Sequence, residues 1–258
     1  MIDTHSHIYG PEFDEDRDAV VARAKEAGVE HILLPNINAD TIAPMLDLCG
    51  RYPNYCLPMM GLHPEDVHED FQEVLDGMWQ EVSLPSRPYI AIGEVGLDFY
   101  WDATYRRQQL DAFEQQVRWA RDLGLPLVIH SRNAHRELMG VMERYRSDGL
   151  KGIFHCFGGT VAEAHELLSF EGFVLGIGGV LTYKKSSLAG VLSEAVPLER
   201  VVLETDSPYL APVPYRGKRN ESAYVAQTMK RLSEVYGRSL SEVENVTTKT
   251  AKRLFGLL

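Results

Sequence analysis

The chain has 258 residues, 45% hydrophobic and 24% charged, with a formal net charge of -11 at pH 7. Its length suits an α/β barrel and its composition a substantial core, while no apolar run approaches the ~20 residues that cross a bilayer. The acidic balance argues against a protein that grips long duplexes, which needs Lys and Arg to displace counterions, but not against an enzyme that seizes one phosphate or a chain end through bound metal.

The opening Met-Ile-Asp-Thr-His-Ser-His has neither the basic start nor the apolar stretch of a signal peptide, so a cytoplasmic location is expected. From there, short apolar runs alternate with stretches of helical period. Strands are predicted near 2–5, 31–35, 55–60 and 90–94, and again near 127–130, 152–155, 173–176 and 201–204. Helical period marks 16–27, 41–51, 105–123, 134–145 and 161–169 among the intervening stretches, with Gly28, Pro53, Gly124, Pro126 and Gly149 at the joins. Eight strands alternating with helices predict a parallel sheet, and at this length a (β/α)8 TIM-type barrel spanning 1–258 as one domain. Cys49, Cys56 and Cys156 form no C-x-x-C pair and read as reduced, structural thiols. If Cys156 shares a strand with His155, it should point away from it.

The polar residues at the strand ends carry the chemistry. His5, Glu94, His130, His155 and Asp206 each fall at or just beyond the C-terminal end of a predicted strand, and in a barrel those ends converge on one mouth. An open sheet would spread them along a line. His5 and His7 lie two residues apart, on one side of an extended segment. Alone, such a pair is as readily two surface histidines. Glu94 follows an apolar run, so its carboxylate must meet a cation or several donors; a salt bridge to an arginine is the plainer alternative. Imidazole and carboxylate together suit zinc, manganese, iron and other divalent ions.

Seven motifs run in order along the chain: Asp3-Thr-His5-Ser-His7, Gly61-Leu-His63-Pro64, Gly93-Glu94-Val-Gly96-Leu-Asp98, Pro126-Leu-Val-Ile-His130-Ser-Arg132, His155-Cys-Phe-Gly158-Gly159, Glu204-Thr-Asp206-Ser-Pro208 and Arg216-Gly-Lys-Arg219-Asn220-Glu221. Together they resemble the TatD family of metal-dependent hydrolases, amidohydrolase-like barrels described as deoxyribonucleases. The resemblance implies two divalent ions (zinc, magnesium or manganese). One would be held by His5, His7, Glu94 and Asp206, the other by Glu94, His130 and His155, with Glu94 as the bridge. It also implies an additional active-site histidine at His63, where the plainer reading is a turn histidine satisfied by backbone. Two positions depart from the family pattern, Asn133 where Asp is frequent and Ser222 where Pro is frequent. Both are expected near substrate loops.

The mechanism so implied is hydrolysis by a hydroxide shared between the two ions, with Glu94, Asp206 and His63 as catalytic groups. The substrate expected is DNA, taken at a 3′ end or as a single strand. Arg132, Arg216, Arg219 and Asn220 are expected to hold it, with Lys184, Lys185 and Lys218 nearby; a solvated surface cation is the alternative for each. Tyr100, Trp101 and Tyr209 are candidates for base stacking or for ordinary packing. A small-molecule amide, ester or lactone hydrolase on the same barrel is the competing reading.

Overall fold

The structure, a computed structural model, describes residues 1–100 and 103–257. Trp101, a candidate for base stacking, lies outside the described residues. Among them are eight parallel strands, β1 (Ile2–Asp3), β2 (His31–Leu34), β3 (Cys56–Pro58), β4 (Ile92–Asp98), β5 (Leu127–Arg132), β6 (Gly152–Phe154), β7 (Phe173–Ile177) and β8 (Val201–Leu203). They alternate with α1 (Arg17–Glu26), α2 (Ala39–Arg51), α3 (Phe71–Val82), α4 (Arg106–Leu123), α5 (His135–Met142), α6 (Val161–Leu168), α7 (Leu188–Ala195) and α8 (Val225–Tyr236), with α9 (Leu240–Phe255) last. Local chemistry places several boundaries. Asn38 and Thr41 form a reciprocal cap at the start of α2, Thr160 and Glu163 do so for α6, and Gly124 ends α4 at φ 67.

Main-chain pairing runs β1-β2-β3 and β4-β5-β6-β7-β8. Parallel bridges at Met60–Ile92 and Ser6–Ser207 join the two sets at both edges and complete the barrel. The second seam is reinforced by Thr4 N donating to Leu203 O at 3.0 Å and Asp206 N to His5 O at 2.9 Å. One buried cluster takes an apolar residue from or beside every strand, from Ile2 and Leu33 round to Val174 and Val202. Only a ring can bring one residue from each of eight strands together. Ala251, Leu254 and Phe255 of α9 join this cluster and seal the barrel at the strands' N-terminal end, leaving the other end as the mouth. Each of its Val, Ile, Leu, Met and Phe side chains contributes roughly 1.5–3 kcal/mol on full burial. Among the described residues no helix is long and apolar enough to cross a membrane.

The strand expected at 90–94, with Glu94 at its C-terminal end, is corrected: β4 covers Ile92–Asp98 and Glu94 lies within it. Its register against β5 shifts between Ile92 and Val95. A Cβ on Gly93 would meet Val128 Cβ inside the barrel at 2.8 Å, and yet the next residue, Glu94, is also turned inward. A bulge re-aims a side chain in this way. Two residues on, Gly96 has φ 145, and a Cβ there would come within 1.9 Å of His130 O. Only glycine lets β4 lie so close to β5 beside His130.

Candidate metal centre

Glu94 is the hub of the mouth. Its Oε2 lies 3.1 Å from His5 Nε2 and 3.4 Å from His7 Nε2. Its Oε1 lies 3.0 Å from His130 Nδ1, 3.3 Å from His155 Nε2 and 3.4 Å from His63 Nε2. Asp206 adds Oδ1 at 3.8 Å from His5 Nε2 and 3.9 Å from His7 Nε2. All six residues expected from the sequence are thus brought together, and each Glu94 oxygen faces its own group of imidazoles.

Partners behind the rings decide which nitrogen faces inward. Tyr9 donates its hydroxyl hydrogen to Pro35 O at 2.6 Å, so its oxygen accepts from His7 Nδ1 at 2.9 Å, leaving the His7 Nε2 lone pair for the site. Asp98 Oδ2 takes His130 Nε2 at 2.9 Å, which turns Nδ1 inward. Glu204 Oε1 stands 3.2 Å from His155 Nδ1, off the line of a good hydrogen bond, and also accepts from Cys156 N at 2.7 Å. Glu204 is wholly buried, and a Cβ at Gly176 would stand 2.2 Å from its Oε2, so glycine makes room for it. Second partners of this kind orient metal-binding imidazoles.

Electrostatics point the same way. Burial works against the Glu94 carboxylate, yet the facing rings of His5, His63, His155 and His130 hold it well below the usual range. Burial likewise opposes charge on His130 and His155, but Asp98 and Glu94 lift the first to about 9, and Glu204 and Glu94 raise the second well above its ordinary value. Burial and the neighbouring His155 keep His5 neutral. Burial, with the Glu94 charge adding to it, raises Asp206 to about 6. At the site, His5 Nδ1, His155 Nδ1 and Glu204 Oε2 are buried without a hydrogen-bond partner. Nitrogen and carboxylate lone pairs converging at the barrel mouth are a donor set that fits divalent cations of intermediate softness. Donor atoms within 4.8 Å of one another occur in His5, His7 and Asp206, and again in His63, Glu94 and His130.

His63, expected to reach substrate from the loop after β3, stands nearer the donors than that implies. Its Nδ1 accepts from Glu65 N at 3.2 Å, so in the neutral ring the proton sits on Nε2, which faces Glu94. The ring meets His130 edge-on at 4.7 Å.

A cleft of about 730 Å³ opens over the centre, with Arg132 and Tyr209 on its walls and Glu65 and Asp66 on the β3 side. Arg132 stacks on the exposed Tyr100, 3.8 Å from the ring centroid. Cys156, expected to point away, lines this cleft. It follows the end of β6, and its φ of 49 breaks the strand alternation that would have turned it outward.

Three expected substrate contacts are placed elsewhere. Arg219 donates to Glu12 O at 2.6 Å, pairs with Asp16 at 2.8 Å and covers the Phe13 ring, pinning the loop after β8 to the segment before α1. Asn220 is wholly buried, and its amide donates to Thr205 O and Tyr209 O, both at 2.7 Å, so it shapes the loop from within. Arg216 stacks on Tyr183 at 4.6 Å, outside the cleft lining. Ser222 is also buried, its Oγ 3.2 Å from Ser6 Oγ, and so props the segment between His5 and His7; Asn133 is exposed at φ 52. Lys184, Lys185 and Lys218 are exposed. Tyr9, Asp98 and Glu204 were the unrecognised partners. Asp98 had a signal, since it shares the strand parity of Glu94.

Comparison with known proteins agrees with this geometry. The family model described as TatD related DNase matches residues 2–256. A metal-dependent hydrolase of Bacillus subtilis, YabD, is 32% identical over 255 residues, covering 99% of this chain and 98% of its own. A protein of Erwinia tasmaniensis named 3'-5' ssDNA/RNA exonuclease TatD is 31% identical over 262 residues, with all of both chains covered. The crystal structure of YjjV, a TatD homologue from Escherichia coli, superimposes with a TM-score of 0.91 at 28% identity, covering 100% of this chain and 98% of that one. With the family model spanning nearly the whole chain, this protein belongs to the TatD-related DNase family of metal-dependent hydrolases.

Proposed function

We propose that the chain hydrolyses phosphodiester bonds of DNA, at a 3′ end or on single strands, with two divalent ions. His5, His7, Glu94 and Asp206 would hold one ion, and Glu94, His130 and His155 the other. The observation that carries this reading is the division of labour at Glu94, whose Oε2 faces His5 and His7 while Oε1 faces His63, His130 and His155. When bound, the ions supply Lewis acidity, lowering the pKa of water and neutralising charge on the phosphoryl oxygens. The named exonucleases among the relatives support a nucleic-acid substrate.

The protein's own groups do the rest. Asp206, whose carboxylate stands beside His5 and His7, takes the proton of the attacking water. The His63 Nε2–H donates to the leaving oxygen, its ring held by the Glu65 N contact on Nδ1. Arg132 at the cleft wall orients the phosphate through its planar fork. Tyr9 and Asp98 hold His7 and His130 by hydrogen bonds, and the Glu204 carboxylate faces His155 Nδ1.

Glu65 and Asp66 on the β3 side repel a long polyanion, which favours the second reading, a small ester or amide substrate. Turnover of a 3′-labelled single-stranded oligonucleotide, set beside acyl esters and lactones with and without chelator, separates the two. Faster hydrolysis of the acyl series would overturn the nuclease reading.

A further inference from the structure

A second cavity, of about 390 Å³, adjoins the metal cleft between the loops that follow β5 and β6. The two spaces share Ser131, Arg132, His155 and Cys156 in their linings, so they lie side by side next to the donors. Its volume is within the roughly 300–1,000 Å³ of pockets that take small organic ligands. Leu138, Phe154, Phe157 and Leu167 give it an apolar floor, and Asn133 and His135 stand at its polar side.

Charge favours this direction for the rest of a substrate whose phosphate sits at the centre. On the β3 side the cleft carries two acids, Glu65 and Asp66, whereas the Arg132 guanidinium belongs to a residue that lines both spaces. The second cavity has one lining acid, Glu163, which accepts from Thr160 N and Oγ1, and nearby Glu166 pairs with His135 at 2.7 Å. An apolar floor with polar edges, reached past a planar cation, matches a heterocyclic base on its sugar.

We infer that this cavity is the seat of one unpaired nucleoside, the unit attached to the phosphate held at the metal centre; the inference rests on the phosphodiesterase reading above. A duplex cannot enter a pocket of this size without giving up a base, so the cavity would select single strands and frayed ends.

Gly158 offers the test. It lines the cavity, its φ lies outside the left-handed region, and a Cβ built on it meets no atom within 4 Å. Gly158 is exposed at the cavity's edge, so Gly158→Ala, Gly158→Leu and Gly158→Phe place progressively larger side chains at its rim. Affinity for thymidine 5′-monophosphate and for inorganic phosphate is measured on metal-loaded protein, alongside metal content. The wild type is expected to prefer the nucleotide by about tenfold, the order expected for seating one base. Gly158→Ala should keep that preference, and Gly158→Phe should lose most of it with phosphate affinity and metal content unchanged. No preference in the wild type, or full preference in Gly158→Phe, would overturn the inference. Ultraviolet crosslinking of 5-iodo-2′-deoxyuridine 5′-monophosphate to the wild type gives a readout free of any folding defect in a variant. The label should fall within 133–138 or 157–159, the stretches that line the second cavity and not the metal cleft, and a label confined to other residues would also overturn it. A chain with the nucleotide preference that cleaves no oligonucleotide refutes the nuclease reading and keeps the subsite; a nuclease without the preference does the reverse.

Discussion

Glu94→Gln is the sharpest perturbation of the centre, because the amide keeps the shape and removes the charge. The carboxylate meets His5 and His7 with one oxygen and His63, His130 and His155 with the other, at 3.0 to 3.4 Å. Whichever way the glutamine sits, an NH2 group replaces an oxygen in front of one set of imidazoles. Of the six expected ligands only Glu94 and Asp206 are anionic, so half the neutralising charge of the centre is lost. Taking the ~1.5–3 kcal/mol of a charged contact as a floor at each ion gives roughly 3–6 kcal/mol over two ions, or two to four decades in the product of the two affinities. The assay is metal content after dialysis against graded chelator, with thermal unfolding of the metal-free protein as the control for folding. The variant should bind both ions more weakly, the ion facing the NH2 group most, at chelator concentrations that leave the wild type loaded, while the metal-free forms unfold within a few degrees of each other. Two ions retained at wild-type affinity would refute the bridging assignment.

Asp98→Asn and Glu204→Gln should each weaken metal binding by roughly 10–100-fold, the usual cost of removing a ligand's supporting partner, as chelator competition would show; an unchanged affinity would mean that the rings are held by packing alone. Metal binding should tighten as pH rises from 6.5 towards 9, because His130, held up to about 9 in the metal-free chain, must lose a proton to become a ligand. The same shift should stabilise the metal-free fold fully below pH 6.5, by on the order of 3 kcal/mol, and be lost as pH rises through 9. Denaturant midpoints across that window check the sign, and a midpoint that climbs with pH would contradict it. Arg132→Ala should flatten the salt dependence of oligonucleotide turnover by about one unit, whereas Arg219→Ala, whose guanidinium is occupied by Glu12 and Asp16, should lower stability by about 1 kcal/mol and leave the salt slope alone. Gly96→Ala should be among the costliest single changes outside the donors, since the added methyl would overlap His130 O; normal metal content and unfolding temperature would show that β4 can move aside.

The sequence alone determined the alternation of strands and helices and the identity of the residues that converge on the mouth. Both are written locally: a buried strand is a short apolar run, and a polar donor at its C-terminal end stands out against it, as at His130 after Leu127–Ile129 and at His155 after Gly152–Phe154. Parallel strands in a ring then aim every such end at one place, so convergence follows from topology without any knowledge of distances. What touches those donors was decided only by the tertiary structure. Glu94 faces inward because of a register shift against β5, which strand alternation read from the sequence misplaces. Cys156 joins the cleft because the chain leaves the strand ladder after Phe154 and turns at positive φ. Arg219, placed among the cations expected to hold DNA, is bound to Asp16, 203 positions away along the chain, and Glu221 is bound to Arg23, 198 positions away. A charge in a loop looks the same in sequence whether it awaits a phosphate or already holds a carboxylate, because its partner comes from a segment that only the closed barrel brings alongside.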